Sequence, residues 1–117
     1  MEFSANKPIY RQIADTCLER ILTGEWTPGE RVPSVREVAV ELAVNTHTVL
    51  KAYEFLQLHA LITPRRGLGF FLEPDAPARV QTLRREEFFS SALPGIASEM
   101  KLLGISPEEL IEHLRDL

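Results

Sequence analysis

The 117-residue sequence contains a single cysteine, Cys17, so no disulfide can form within the chain. No apolar run approaches the roughly 18 residues of a membrane-spanning helix, and the first ten residues lack a basic-then-apolar secretion signal. The three histidines, His47, His59 and His113, do not have the spacing of metal ligands. These absences argue against a secreted, membrane or metal-dependent protein and favour a cytoplasmic one.

The chain also lacks a recognisable catalytic or cofactor-binding pattern. Gly67 and Gly69 supply only part of a GxGxxG fingerprint, and strand-like residues follow them where that fingerprint requires a helix. Cys17 lies in the apolar stripe of a predicted helix, where a thiol is usually inert. We therefore expect no enzymatic activity, no catalytic residue, no metal and no cofactor.

Acidic residues outnumber basic ones, which argues mildly against nucleic acid as a partner. The chain has 17 Asp and Glu against 13 Lys and Arg, a formal net charge of -4. Residues 31–66 reverse this balance, because five basic and three acidic side chains give this segment a net charge of +2. A phosphate contact depends on the local charge, so DNA binding stays open.

Apolar spacing predicts a first helix over residues 8–23, with Asn6 as a candidate cap and Gly24 directly after the last periodic residue. Residues 25–33 contain two prolines and a glycine, so we predict a loop that includes at most a short strand. Trp26 in this loop is predicted to be a packing residue.

Two further helices and a hairpin follow in the predicted order. Ser34 and Glu37 have the spacing of a capping box, which opens a short second helix. Asn45 is a good cap for a third helix after a three-residue break, and residues 61–72 are typical of a hairpin. This order predicts a winged helix-turn-helix, a mostly α fold with a small β-hairpin.

The remaining chain is predicted to be a short helical tail. Residues 74–79 have the composition of a polar, proline-containing linker, and residues 80–104 have helical periodicity. Pro94 falls inside this stretch, so we expect a kink or a break near Leu93. Ser106 begins another capping box, which opens a last helix.

The outer face of the third helix carries groups that suit DNA. In a helix-turn-helix this helix lies in the major groove, and its first turns face the base edges. Thr46 and His47 can hydrogen-bond a base or phosphate, Leu50 can contact a thymine methyl, and Lys51 suits a phosphate. Each residue alone is more often part of a solvated surface, but their shared face favours DNA.

Two other elements are predicted to contact the DNA backbone. Ser34 and Arg36 stand at the start of the second helix, where a helix N-terminus and a guanidinium both favour an anion. Arg65 and Arg66 at the hairpin tip can neutralise phosphate, and a neighbouring glycine such as Gly67 allows close approach to the minor groove.

The sequence resembles the N-terminal domain of GntR-family bacterial transcription regulators in three stretches, PGERVPSVREVA, VNTHTVLKAYEFL and LITPRRGLGFF. Its short tail resembles the YtrA-like subfamily, in which two helices form the dimer. The resemblance implies a DNA-binding domain at residues 1–77 and a dimerisation tail at residues 78–117. The DNA contacts that it implies are Ser34, Arg36, Asn45, Thr46, His47, Thr48, Lys51, Arg65, Arg66 and Gly67.

The tail is too small to bury a core by itself, so its apolar stripes need a partner surface. They can fold back on the first helix or meet a second copy of the chain, and the resemblance favours a homodimer. A two-fold dimer predicts an inverted-repeat operator. The predicted dimer interface comprises Phe88, Phe89, Leu93, Ile96, Met100, Leu103, Leu110 and Leu114.

The resemblance further implies a repressor of its own operon, with an operon for an ATP-binding-cassette transporter as the expected target. A small-molecule effector, if there is one, would bind at the dimer interface or in a cleft, because the tail is too short for a roomy pocket. The alternative is a winged-helix module for protein interaction without DNA binding. The net acidity and Leu68 on the wing support this alternative. The cations around one expected surface oppose it, namely Arg36, Lys51, Arg65 and Arg66.

Overall fold

The computed structural model describes residues 7–117, so the candidate cap Asn6 lies outside the described residues. None of the described helices is long and apolar enough to cross a membrane. The described chain divides into two compact units, and the boundary in the sequence falls between Gln81 and Thr82. The elements in chain order are α1 (Ile9–Thr23), α2 (Val35–Leu42), α3 (Thr46–Leu58), β1 (Ile62–Arg65), β2 (Gly69–Leu72), α4 (Ala76–Glu87), a π-helical turn (Phe88–Ala92), α5 (Leu93–Leu103) and α6 (Pro107–Arg115).

Helix α1 forms as the apolar spacing predicts. Pro8 occupies its N-cap position, and Gly24 ends it in the left-handed conformation with φ of 83°, which glycine adopts without steric strain. Ile9 and Leu22, at the two ends of the predicted stripe, stay about half exposed. The buried residues of the helix are Ile13, Ala14, Cys17, Leu18 and Ile21.

Local capping sets the starts of α2 and α3. The Glu37 backbone N–H donates to Ser34 Oγ at 3.1 Å, and the Ser34 N–H donates to Glu37 Oε1 at 3.2 Å. The predicted capping box is therefore confirmed. Ala43 ends α2 in the left-handed conformation, and Asn45 Oδ1 then accepts the His47 N–H at 2.7 Å at the start of α3. Helix α3 packs against α1 and α2, which confirms the helix-turn-helix.

Tyr53 lies at the centre of the first unit's core and is fully buried. Its ring packs edge to face against the Trp26 ring, with the two centroids 6.2 Å apart. It packs in the same way against the Phe70 ring of β2, with centroids 5.3 Å apart. Trp26 is only 4% exposed, so the prediction that it packs in the core is confirmed. Aromatic contacts thus join α3, the loop before α2 and β2.

Strands β1 and β2 form the predicted antiparallel hairpin, called the wing below, in a register that pairs Ile62 with Leu72. The loop before α2 adds a third, short piece along β2. Arg31 pairs with Phe71 in an isolated bridge, and backbone hydrogen bonds of 2.9 Å flank it on both sides. Residues 25–33 therefore form the predicted loop, and the strand-like part of it is limited to this single bridge.

The prediction of a polar linker at residues 74–79 is wrong, because α4 begins at Ala76. Ala76 and Val80 lie one helical turn apart and are both fully buried, so the helix is anchored in the core of the first unit. Pro77 sits in the first turn, where its missing N–H has no intrahelical partner to lose.

In the second unit, Pro94 does not break the helix. The chain stays helical on both sides of it, and the five residues Phe88–Ala92 form a π-helical turn in which the Leu93 N–H donates to Phe88 O. A proline ring clashes with the carbonyl four residues earlier in a regular α-helix, and a wider turn gives it room. The proline changes the helical pitch without interrupting the helix.

Helix α6 follows Gly104, which closes α5 with φ of 68°. Ser106 Oγ accepts the Glu109 N–H at 3.1 Å, so the predicted cap of α6 is confirmed. No described residue from Thr82 onward is buried, although α5 and α6 both carry apolar stripes. The second unit therefore has apolar surface that the described chain leaves in contact with solvent.

Candidate nucleic-acid interface

The face of α3 opposite its buried stripe is exposed, as the helical period predicts. Thr46, His47, Leu50 and Lys51 are all exposed, and Thr48 is half-buried beside them. The face offers a hydroxyl, an imidazole, an apolar branch and an ammonium within the first two turns. These groups can donate to, accept from or pack against the edges of a base pair.

Asn45 has a structural task at the start of α3. Its Oδ1 accepts the His47 backbone N–H, which satisfies one of the donors that a helix N-terminus leaves unpaired. The amide oxygen is thereby engaged, but the amide NH₂ keeps its donors. Asn45 can therefore cap α3 and still donate to a phosphate.

Lys51 has an aromatic neighbour that the sequence reasoning missed. Its Nζ lies 5.0 Å from the centroid of the Tyr10 ring, in the first turn of α1. A cation–π contact at an exposed site is worth about 0.5–1 kcal/mol and leaves the charge unneutralised. The ring therefore orients the ammonium without removing it from use. The available signal was an aromatic residue next to the apolar stripe of α1.

The N-terminus of α2 is built by Ser34 and Glu37. Because Ser34 Oγ already accepts a backbone hydrogen bond, its hydroxyl hydrogen remains able to donate to an anion. Hydrogen bonding from the Ser34 backbone N–H is the main cause that lowers the pKa of the Glu37 carboxyl, so the carboxylate form is favoured. Arg36 is exposed and pairs with no acidic residue in the described part of the chain.

The tip of the wing carries two exposed arginines with different surroundings. The Arg65 guanidinium lies 4.0 Å from the centroid of the Phe71 ring, and Arg66 extends from the turn. Gly67 has φ of 76°, and no atom would lie within 4 Å of an added Cβ. The glycine is therefore required by the backbone conformation, and the space around it remains open for a close approach.

Gly69, at the start of β2, is crowded by Arg31. A Cβ at Gly69 would lie 3.1 Å from Arg31 Nε, and the backbone there has φ of 107°. The Arg31 guanidinium continues past the glycine to Glu37, where Nη2 and Oε1 are 3.3 Å apart. The sequence reasoning counted Arg31 only toward the local charge and assigned it no role.

Ion pairing leaves four cations on α2, α3 and the wing without an acidic partner, although other described cations of the first unit, such as Arg20 and Arg79, are paired. Within residues 7–117, Arg36, Lys51, Arg65 and Arg66 form no ion pair, whereas Arg31 pairs with Glu37. Helix α3 packs against both α2 and β1, so these side chains belong to elements of one compact unit. Four unpaired cations on adjoining elements can bind the phosphates of a duplex.

The eight apolar residues predicted for the dimer interface lie in the second unit. Phe88 and Phe89 meet edge to face with centroids 5.2 Å apart and are about half exposed. Met100 and Leu110 are half-buried. The other four, all exposed, are Leu93, Ile96, Leu103 and Leu114.

Fold and site together define a winged helix-turn-helix protein of the DNA-binding class. The model of the bacterial regulatory proteins of the gntR family matches residues 9–72, which include helices α1, α2 and α3 and the wing. The chain therefore belongs to the GntR family.

Similar proteins extend the match beyond the winged domain. The HTH-type transcriptional regulator YhcF of Bacillus subtilis is 33% identical over 114 residues, covering 97% of this chain and 93% of that protein. The HTH-type transcriptional repressor YtrA of the same organism is 30% identical over 117 residues, covering 97% and 86%. A GntR family transcriptional regulator from Listeria monocytogenes matches with a TM-score of 0.80 at 34% identity, covering 98% of this chain and 99% of that one.

These similarities identify a DNA-binding transcription regulator of the YtrA type and not an enzyme. The family resemblance and the fold class predicted from the sequence are thereby confirmed.

Proposed function

We propose that the protein is a dimeric repressor that binds an inverted-repeat operator in the promoter of its own operon. The observation that carries this proposal is the set of four unpaired cations on α2, α3 and the wing. Repression is supported by the similarity to YtrA of Bacillus subtilis, which is a transcriptional repressor by name.

In the proposed complex, α3 lies in the major groove with Thr46, His47 and Leu50 toward the base edges. The N-terminus of α2 and the wing contact the backbone on either side of it. The residues proposed for the phosphate contacts are Ser34, Arg36, Asn45, Thr48, Lys51, Arg65, Arg66 and Gly67.

The proposed division of labour places DNA binding in residues 1–77 and dimerisation in residues 78–117. Apolar side chains of the tail that are exposed in one chain would be covered by a second copy, which lowers the free energy of association. A two-fold dimer presents two copies of α3, and its half-sites lie about one helical turn, roughly 34 Å, or a multiple of it apart.

The target and the control of the protein are part of the same proposal. The resemblance to YtrA-like regulators supports an operon for an ATP-binding-cassette transporter and a site of action on DNA in the cytoplasm, away from the membrane. A small-molecule effector would bind at the dimer interface or in a cleft.

The direct test mixes the protein with fluorescent DNA from its own promoter, alongside a scrambled duplex, at two salt concentrations. Size-exclusion chromatography of the same sample gives the oligomeric state. Preferential, salt-sensitive binding by a dimer supports the proposal. Equal binding to both duplexes counts against an operator in that promoter, and absence of binding at low salt favours the alternative of a protein-interaction module.

A further inference from the structure

Arg31 connects the wing to the N-terminus of α2, two elements that contact the same duplex in the proposed complex. We infer that Arg31 is a positioning residue, which fixes the wing relative to α2 so that Arg66 and Arg36 reach the DNA backbone together. The inference rests on the proposed DNA-binding site and deepens it, because Arg31 is not among the contacts assigned to that site.

The backbone of Arg31 is fixed by β2. Arg31 pairs with Phe71 in an antiparallel bridge, and the Val32 N–H donates to the Phe70 carbonyl at 2.9 Å. Paired residues of antiparallel strands project their side chains to the same face. Arg31 therefore starts on the face of the sheet where Phe71 and the Arg65 guanidinium lie against each other.

The side chain of Arg31 then runs across Gly69. An added Cβ there would lie 3.1 Å from Nε, 3.7 Å from Cδ and 3.9 Å from Cγ of Arg31. Three successive side-chain atoms of Arg31 therefore lie beside the glycine. Any side chain at position 69 would compete with Arg31 for this space. Two features therefore favour glycine at position 69, the positive φ of its backbone and the space that the Arg31 side chain occupies beside it.

The guanidinium ends at the cap of α2. Its Nη2 lies 3.3 Å from Glu37 Oε1, and the same carboxylate oxygen accepts the Ser34 N–H at 3.2 Å. A continuous series of contacts therefore runs from Gly69 through Arg31 and Glu37 to Ser34. Ser34 and Arg36 begin α2, so the series joins the base of the wing to proposed phosphate-binding groups.

The ion pair is poorly placed to serve stability alone. The side chains of Arg31 and Glu37 are 54% and 61% exposed, and pairs this exposed contribute little to the free energy of unfolding. What the contacts do fix is geometry, since the Arg31 backbone is held against β2 and its guanidinium contacts Glu37 at the cap of α2. Loss of Arg31 should therefore change DNA binding more than it changes stability.

The test is a double-mutant cycle between Arg31→Ala and Arg66→Ala, measured on the duplex that the wild-type protein enriches from a random-sequence pool. We expect Arg31→Ala to weaken DNA binding about tenfold. The fold loss of affinity caused by Arg66→Ala should be at least about threefold smaller in the Arg31→Ala background than in the wild type. Thermal unfolding of each variant checks the fold. Equal effects of Arg66→Ala in both backgrounds overturn the inference, because an independent phosphate ligand gives additive losses.

A second variant separates positioning from general electrostatics, because the two predict opposite changes in DNA affinity. Glu37→Gln keeps an acceptor for the Ser34 N–H but removes the charge that holds Arg31. Near a duplex, loss of a negative charge alone should tighten binding, whereas loss of positioning should weaken it. Weaker binding by Glu37→Gln supports the inference, and unchanged or tighter binding contradicts it.

The same measurements keep the two proposals apart. If the wild type binds DNA and Arg66→Ala weakens it, the proposed site stands whatever Arg31 does. A neutral Arg66→Ala overturns both the wing contact and the positioning role. If Arg31→Lys bound DNA with wild-type affinity, positioning by the planar guanidinium would be contradicted, because a lysine restores only the charge.

Discussion

The Tyr53 hydroxyl donates a hydrogen bond to the backbone carbonyl of Pro33. Tyr53 belongs to α3, and Pro33 directly precedes the Ser34 cap of α2. Burial is the main cause that raises the pKa of Tyr53, so the group donates as a neutral phenol. This buried hydroxyl therefore links the helix proposed to read bases to the start of the helix proposed to bind phosphate, two helices that also pack against each other.

We predict that Tyr53→Phe destabilises the protein by about 1–3 kcal/mol, because it leaves the Pro33 carbonyl without its donor. Urea unfolding measures this change. Tyr10→Phe is the matched control, since Tyr10 is half-buried and its ring contact with Lys51 survives the change, so the expected shift is within about 0.5 kcal/mol. Equal stabilities of the two variants would show that the Pro33 contact contributes nothing.

The short-range features of the fold follow from the sequence because their causes are local. A capping box needs only a serine and a glutamate three residues apart, and Ser34 with Glu37 forms one. The same holds for Asn45 and Ser106 at later helix starts. The outward face of α3 also follows, because the helical period fixes which side chains lie opposite the buried stripe.

Other features depend on contacts between distant parts of the chain and were not predictable. The start of α4 at Ala76 depends on burial of its first turn in a core assembled by earlier helices, so polar composition alone suggested a linker. The contact of Lys51 with Tyr10 and that of Arg31 with Gly69 both join elements that meet only after folding. The roles of these side chains toward DNA stay predictions.

Reversing the charge of the wing separates DNA binding from a protein-interaction role. We expect Arg65→Glu with Arg66→Glu to weaken DNA binding at least about a hundredfold at low salt, because two attractive charges become repulsive in each protomer. Fluorescence anisotropy measures the affinity. The chain offers a control in Arg84→Glu with Lys101→Glu, two exposed cations of the second unit that are not among the proposed dimer-interface residues and carry the same change in net charge.

Loss of affinity in the wing variant but not in this control assigns the effect to the wing. Equal losses in both variants would indicate a response to net charge only. Full binding by both variants would contradict the wing contact.

Phosphate contacts and base contacts should respond differently to salt. For the wild-type dimer we expect a slope of about -7 to -10 in log K against log salt, from roughly four to six phosphate contacts in each protomer. Lys51→Ala should make the slope shallower by about 2, one contact per protomer, whereas Leu50→Ala should leave it unchanged and alter the preference at one base pair. Lys101→Ala in the tail is the control, and a slope change of the same size there would contradict the assignment of Lys51.

Cys17 should react with alkylating agents only when the protein unfolds. Burial raises the pKa of its thiol to about 12, so almost no thiolate exists at neutral pH in the folded state. At pH 8 we expect iodoacetamide to modify the folded protein at least about a thousandfold more slowly than the protein in urea.

The same shift gives a pH dependence of stability. The folded-state pKa lies above the unfolded-state value of about 8.5, so the contribution of this thiol is complete below that pH. It is then lost progressively as the pH rises toward 12. Rapid modification of the folded protein at pH 8 would show that the helix face around Cys17 opens without global unfolding.

The apolar stripe of α5 provides the test of dimerisation. Ile96 and Leu103 lie in this stripe, are 38% and 64% exposed, and are proposed to meet a second copy. A carboxylate at either position would have to be desolvated in the dimer. Ile96→Asp and Leu103→Asp should therefore each raise the dissociation constant of the dimer at least about a hundredfold, as measured by sedimentation velocity. Leu102→Asp is the control, because Leu102 is 87% exposed and points about 100° around the helix from Leu103. If Leu102→Asp dissociated the dimer and Ile96→Asp did not, the second copy would pack on a different face of α5, and the proposed interface would be wrong.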